Sequence, residues 1–89
     1  MTAWPAPVIK LYLGELTTDA ALAAAEHSEP STRRGQICEV NFYAGDIALR
    51  GGAKPEATRF LTLAARDCPK TWIELEAANA ELKALAAAP

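Results

Sequence analysis

The segment GGAKP, residues 51–55, separates two stretches in which apolar residues recur at intervals of three and four, the period of an α-helix. Tandem glycine ends a helix, and proline suits the first turn of the next one. A connection of only a few residues makes the two helices run antiparallel as an αα-hairpin. This break constrains the fold more than any other feature of the chain.

The rest of the chain also favours helices. Twenty of its 89 residues are alanine, which has the highest helix propensity. No run alternates apolar and polar residues over the length of a strand. Signals for helix starts and stops predict five helices, over residues 5–13, 18–26, 30–50, 55–67 and about 72–87. We therefore predict an all-α protein built from antiparallel αα-hairpins.

Each of the last three helices carries one apolar stripe, which predicts the core. The stripe residues are Ile37, Val40, Ala44, Ile47, Ala48 and Gly51 in the third helix, Ala57, Phe60, Leu61, Ala64 and Ala65 in the fourth, and Leu75, Ala78, Leu82 and Leu85 in the fifth.

Charge and hydropathy exclude two classes of partner. Nine basic residues against eleven acidic ones give a net charge of -2, which does not favour nucleic acid. No apolar run approaches the roughly 20 residues of a membrane span. The N-terminal residues lack the basic start and cleavage site of a secretory signal, so the chain as written is expected to be cytoplasmic.

The segment 38–71 resembles the tetratricopeptide repeat (TPR), a 34-residue motif with the pattern W-x₂-L-G-x₂-Y, then A-x₃-F, then P. The residues in register with this pattern are Asn41, Ala44, Gly45, Ala48, Ala57, Leu61 and Pro69. One period later, helix 5 places Leu75, Ala78, Asn79 and Leu82 where the next repeat would begin. One period earlier the pattern fails. The overall sequence is similar to the C-terminal part of small bacterial TPR proteins.

The resemblance implies that residues 1–89 form a single TPR-like domain, a fragment of an α-solenoid. Its parts would be a divergent N-terminal hairpin over 4–27, the repeat over 38–71 and a capping helix over 72–87. Fewer than three repeats rarely stand alone. We therefore expect either that the N-terminal hairpin completes the core or that the chain forms a homo-oligomer. Some such proteins are exported, which implies a periplasmic location if the chain is part of a longer exported one.

The same resemblance implies a non-catalytic module that binds a protein or peptide partner and uses no cofactor. In this family the first helix of a repeat lines the partner groove, which here gives Glu39, Phe42, Asp46, Leu49 and Arg50 as the partner-binding face. These residues share one side of helix 3. In a second interpretation, Phe42 and Leu49 pack under the N-terminal hairpin and the charges are solvated.

Cys38 and Cys68 are the only cysteines. They lie at nearly equal distances from the turn, so the antiparallel hairpin places them level with each other. Two states are open, namely a disulfide that closes a loop of about 30 residues and two reduced, buried thiols. A thiol–disulfide redox protein that uses this pair is the alternative function, and a helical carrier of small ligands is a third.

Other polar residues do not indicate catalysis. His27 is the only histidine, which does not favour a metal site. No phosphate-binding loop or nucleophile motif is present. Arg33 and Arg34 open helix 3 and are expected either to reach an acidic partner or to be solvated.

Gly45 stands in the interior of helix 3, where glycine costs about 1 kcal/mol relative to alanine. It falls where the repeat brings its two helices closest. We therefore expect Gly45 to let the backbones approach, with Ala57 and Ala64 facing it.

Overall fold

The structure, a computed structural model, describes residues 6–26, 29–68 and 73–87. These residues form five α-helices and no β-strand. The helices are α1 (Ala6–Tyr12), α2 (Thr18–Glu26), α3 (Pro30–Arg50), α4 (Lys54–Asp67) and α5 (Ile73–Ala87). The predicted all-α class and the number of helices are confirmed. His27, the turn at Pro69 and the predicted helix start at Trp72 lie outside the described residues.

Local chemistry determines where the first two helices end and begin. Gly14, just after α1, takes a left-handed conformation with φ of +78°. In this turn the N–H of Glu15 donates to the Lys10 carbonyl at 2.8 Å. Thr17 then caps α2, because its Oγ1 accepts the N–H of Ala20 at 3.1 Å. Five residues, 13–17, therefore connect α1 to α2.

The connection between α3 and α4 uses the glycines and the proline as predicted. Gly52 is left-handed, with φ of +79°. The N–H of Ala53 donates to the carbonyl of Ala48 at 2.9 Å, which satisfies a carbonyl at the end of α3. Pro55 lies in the first turn of α4, where its missing N–H is not needed.

The central helix, α3, packs against two apolar clusters. The N-terminal cluster joins α1, α2 and α3 and has the buried residues Val8, Leu11, Ala21 and Val40. The C-terminal cluster joins α3, α4 and α5 and has the buried residues Cys38, Leu61, Ala64, Cys68 and Ala78. The hairpin of α1 and α2 therefore contributes to the core of the single chain.

Gly45 is buried where α3 meets α4. A Cβ at this position would lie 2.7 Å from Leu61 Cγ and 2.9 Å from Leu61 Cδ2, so the helices approach closely here, as expected. The nearest atoms belong to Leu61, however, and not to Ala57 or Ala64. Leu61 lies between these alanines along α4, and the rotation of α4 about its own axis decides which residue meets the glycine. The apolar period does not fix that rotation.

Candidate partner-binding face

Arg50 at the end of α3 is held between an aromatic ring and a carboxylate. Its guanidinium carbon lies 5.1 Å from the ring centroid of Tyr12 in α1. Its Nε lies 3.5 Å from Oδ2 of Asp46, one turn earlier in α3. A cation over an exposed ring contributes about 0.5–1 kcal/mol, and an ion pair at this helical spacing a few tenths. These contacts orient an Arg50 side chain that is 66% exposed.

A series of aromatic contacts runs from α1 onto α3. The rings of Tyr12 and Tyr43 meet edge to face, with centroids 6.1 Å apart. Tyr43 and Phe42 meet in the same manner at 5.1 Å. Tyr43 packs against the N-terminal cluster and Phe42 against the C-terminal cluster. Part of the Phe42 ring is therefore used by the core on the α4 and α5 side.

The five residues predicted for the partner-binding face differ in exposure. Arg50 is exposed, whereas the Asp46 side chain retains only 19% of its accessible surface. Glu39, Phe42 and Leu49 are half-buried. The structure thus brings Asp46 and Arg50 into direct contact and leaves Arg50 as the one exposed residue of the five.

Sequence reasoning missed the contribution of α1 to this surface. Tyr12 lies beside Arg50. Ile9 of the same helix is 54% exposed, and Leu13, the residue that follows α1, is 66% exposed. The N–H of Leu13 donates to the Ile9 carbonyl at 3.0 Å, which continues the helical turn past Tyr12, so a spacing of three and four residues places all three side chains on one side. The only signal in the sequence was that this short helix has more apolar side chains than one buried stripe needs. We call Ile9, Tyr12, Leu13, Asp46 and Arg50 the α1–α3 face.

Glu81 of α5 was also missed. It is half-buried, and its Oε2 is enclosed without a hydrogen-bond partner among the described residues. Burial raises the pKa of this carboxyl above its ordinary value, and the negative charge of Asp46 raises it further, while Arg50 lowers it. The signal in the sequence that could have identified Glu81 was its position next to Leu82, a residue of the apolar stripe of α5.

The two cysteines form a disulfide between α3 and the residue that follows α4. The Cα atoms of Cys38 and Cys68 are 4.9 Å apart, within the range that a disulfide spans. The expectation that they lie level across the hairpin is confirmed. Cys38 is fully buried and Cys68 is 4% exposed. The bridge is therefore part of the C-terminal cluster.

Arg34 binds the end of α4. Its Nε donates to the carbonyl of Asp67 at 3.1 Å, and its Nη2 donates to the carbonyl of Arg66 at 3.5 Å. The last carbonyls of a helix lack partners within the helix and carry partial negative charge. Arg34 therefore closes the same end of the α3–α4 hairpin as the disulfide.

Replacing Arg34 with alanine is expected to lower the free energy of unfolding by about 1 kcal/mol, because two carbonyl groups lose a charged donor at an exposed site. Urea denaturation measures the loss. Arg34→Lys keeps the charge and one donor, so we expect it to fall between the wild type and the alanine variant. Equal midpoints for all three proteins would show that the contact contributes nothing.

A shallow depression of about 260 Å³ lies beside this contact, lined by Arg33, Arg34, Ile37 and Asp67. Pockets for drug-sized ligands usually have volumes of about 300–1,000 Å³ and bury most of the ligand. The depression does not have the form expected of a small-ligand carrier.

No helix in the described ranges is long and apolar enough to cross a membrane. Within the same ranges, histidine, cysteine, aspartate and glutamate side chains do not gather in groups of three or more that could hold a metal ion.

Comparison with models of protein families, with curated proteins and with solved structures finds no match to this chain.

Proposed function

We propose that this protein is a non-catalytic interaction module that binds a protein or peptide partner through the α1–α3 face. The arrangement of Arg50 carries the proposal, since an exposed guanidinium is held by Tyr12 and Asp46 before any partner arrives. Ordering a long side chain on binding costs about 0.5–1.5 kcal/mol, and a held side chain avoids part of that cost. Arginine and tyrosine are also the residues that most often dominate binding energy in protein interfaces.

Apolar surface next to Arg50 supports the same proposal. Ile9 and Leu13 expose more than half of their surface one turn apart, and Tyr12 between them contacts the arginine. Interfaces combine apolar anchors with a polar rim in this way. The partner segment that fits would place apolar side chains over α1 and hydrogen-bond acceptors over Arg50.

The TPR resemblance belongs to this proposal. The close approach at Gly45 and the packing of α5 on the α3–α4 hairpin support it, because this family uses a small residue at its helix contact and a terminal helix to cover the last repeat. The α1–α3 face would then be the groove side of a short solenoid. This reading predicts that the partner lies across the first helices of successive hairpins.

The alternative function is thiol–disulfide exchange through Cys38 and Cys68. Exchange requires a thiolate to reach a sulfur atom, so catalytic disulfides are accessible on at least one side. Both cysteines here are buried. Burial favours a structural bridge, which agrees with the interaction module.

Replacing Arg50 with glutamate is expected to weaken partner binding at least tenfold. The change reverses a charge in the α1–α3 face and places two acidic residues one turn apart, removing the contacts to Tyr12 and Asp46. The measurement is affinity capture with the full chain, quantified by mass spectrometry, followed by titration calorimetry with each captured protein. Circular dichroism verifies that the variant is folded.

Arg59→Glu is the matched control. Arg59 is also exposed and also lies over an aromatic ring, that of Phe60 at 4.2 Å, but it belongs to α4. We expect this variant to bind as the wild type does. Leu13→Ser tests the apolar half of the face and should also weaken binding. If Arg50→Glu and Leu13→Ser capture the same proteins as strongly as Arg59→Glu, the α1–α3 face is not the binding site.

A further inference from the structure

We propose that Glu81 makes the packing of α5 on α3 dependent on pH, so that α5 is held more tightly when this carboxyl group is protonated. The inference rests on the contact between α3 and α5 and does not depend on the partner proposed above.

One oxygen of Glu81 is sealed from water. Its Oε2 is enclosed, and no group of the described residues donates a hydrogen bond to it. The residues three and four positions away on α5 have side chains without donors: Ala77, Ala78, Ala84 and Leu85. An enclosed carboxylate without a donor carries a desolvation cost that the neutral acid largely avoids.

The charged groups that act on Glu81 belong to α3. Asp46 repels the carboxylate, and Arg50 attracts it but is also paired with Asp46. The other helix packed against α5 is α4, which contributes Leu61 and Ala64 to their shared cluster. Four charged residues of α4 are exposed, namely Lys54, Glu56, Arg59 and Arg66. The fifth, Asp67, is paired with Arg66. None of these α4 charges is among the groups that shift the pKa of Glu81, which are Asp46 and Arg50 of α3.

The direction of the pH dependence follows from these contacts. Burial first, and then Asp46, raise the native pKa of Glu81 above its ordinary value of 4.5. The folded chain then binds more protons than the unfolded chain, so this group stabilises the fold as pH falls. The stabilisation is complete below about pH 4.5 and is lost as pH rises through the native pKa.

The test compares thermal unfolding of the full-length wild type, Glu81→Gln and Glu76→Gln between pH 4.5 and 8. Glutamine has the shape of the protonated acid at every pH. Glu76 lies on the same helix and is exposed, so Glu76→Gln removes the same charge without the enclosed oxygen. Amide exchange of α5, measured by NMR at each pH, locates the effect.

We expect Glu81→Gln to melt above the wild type at pH 8 and the difference to shrink toward pH 4.5, while Glu76→Gln follows the wild type. The ratio of wild-type to Glu81→Gln exchange rates in α5 should rise with pH. A difference in melting temperature between the wild type and Glu81→Gln that stays constant from pH 4.5 to 8 would overturn the proposal. The same pH-dependent difference in Glu76→Gln would overturn it as well.

Discussion

Replacing Cys38 and Cys68 together with alanine is expected to lower the free energy of unfolding by roughly 3–4 kcal/mol. The bridge joins residues 30 positions apart. Without it the unfolded chain regains the conformational entropy of that closed loop, which is equivalent to about this free energy. Both side chains are buried, and alanine fits where cysteine was, so strain should add little. For a chain of this length the loss corresponds to a fall in melting temperature on the order of 10–30 °C.

Urea denaturation with and without a reducing agent measures this contribution. The wild type should lose stability when reduced, and the double-alanine variant should not respond to the reducing agent. Because the sulfur atoms are buried, reduction of the wild type should also be slow and should follow opening of the chain. A variant as stable as the wild type, or rapid reduction of the folded protein, would contradict a structural role and favour the redox alternative.

The helices could be predicted from the sequence because their signals are local. The glycines at 51 and 52 and Pro55 fix the turn between α3 and α4, and Thr17 supplies the cap of α2. An antiparallel hairpin then fixes which residues are level across it. That geometry was enough to predict that Cys38 and Cys68 lie level with each other, because the level depends only on distance from the turn. Whether the two sulfur atoms form a bond depends also on the rotation of the helices, and the structure shows that they do.

The α1–α3 face could be predicted only in part. Asp46 and Arg50 are one turn apart on the same helix, so their proximity follows from the helical repeat. Tyr12 and Glu81 come from other helices, and their positions depend on how α1 and α5 pack on α3. Helix packing angles arise from side-chain ridges and grooves on both partners, which a single apolar stripe does not define.

Phe42 is one residue whose surroundings could not be predicted, because they depend on how the helices pack. Its spacing from Asp46 and Arg50 placed it on the predicted face, and it does lie on that helix. Its ring is half-buried, however, and packs against the C-terminal cluster. A variant of Phe42 would therefore disturb folding and binding together, so Arg50 is the better residue with which to test the function.

Replacing Gly45 with alanine is expected to destabilise the protein, although the same change raises helix propensity by about 1 kcal/mol. The new Cβ would lie 2.7 Å from Leu61 Cγ and 3.3 Å from the Leu61 backbone nitrogen, so both the side chain and α4 must move. Leu61 is fully buried, and protein interiors are closely packed, so its side chain cannot shift without moving its neighbours. Gly45→Leu should cost roughly 1–3 kcal/mol, as overpacking of a core does, and Gly45→Ala should cost less.

Gly51→Ala is the matched control for this substitution. Gly51 has a right-handed φ of -80°, and a Cβ there would meet only the carbonyl oxygens of Ala48 and Ile47, both at an ordinary 3.6 Å. This change should be neutral or stabilise the protein by a few tenths of a kcal/mol. Chemical denaturation of both variants, and of each combined with Leu61→Val, completes the comparison. The smaller side chain should relieve the cost at position 45 and leave position 51 unaffected, since only Gly45 faces Leu61. Equal effects of the two alanine substitutions would mean that α3 and α4 do not need a residue without a Cβ at their contact.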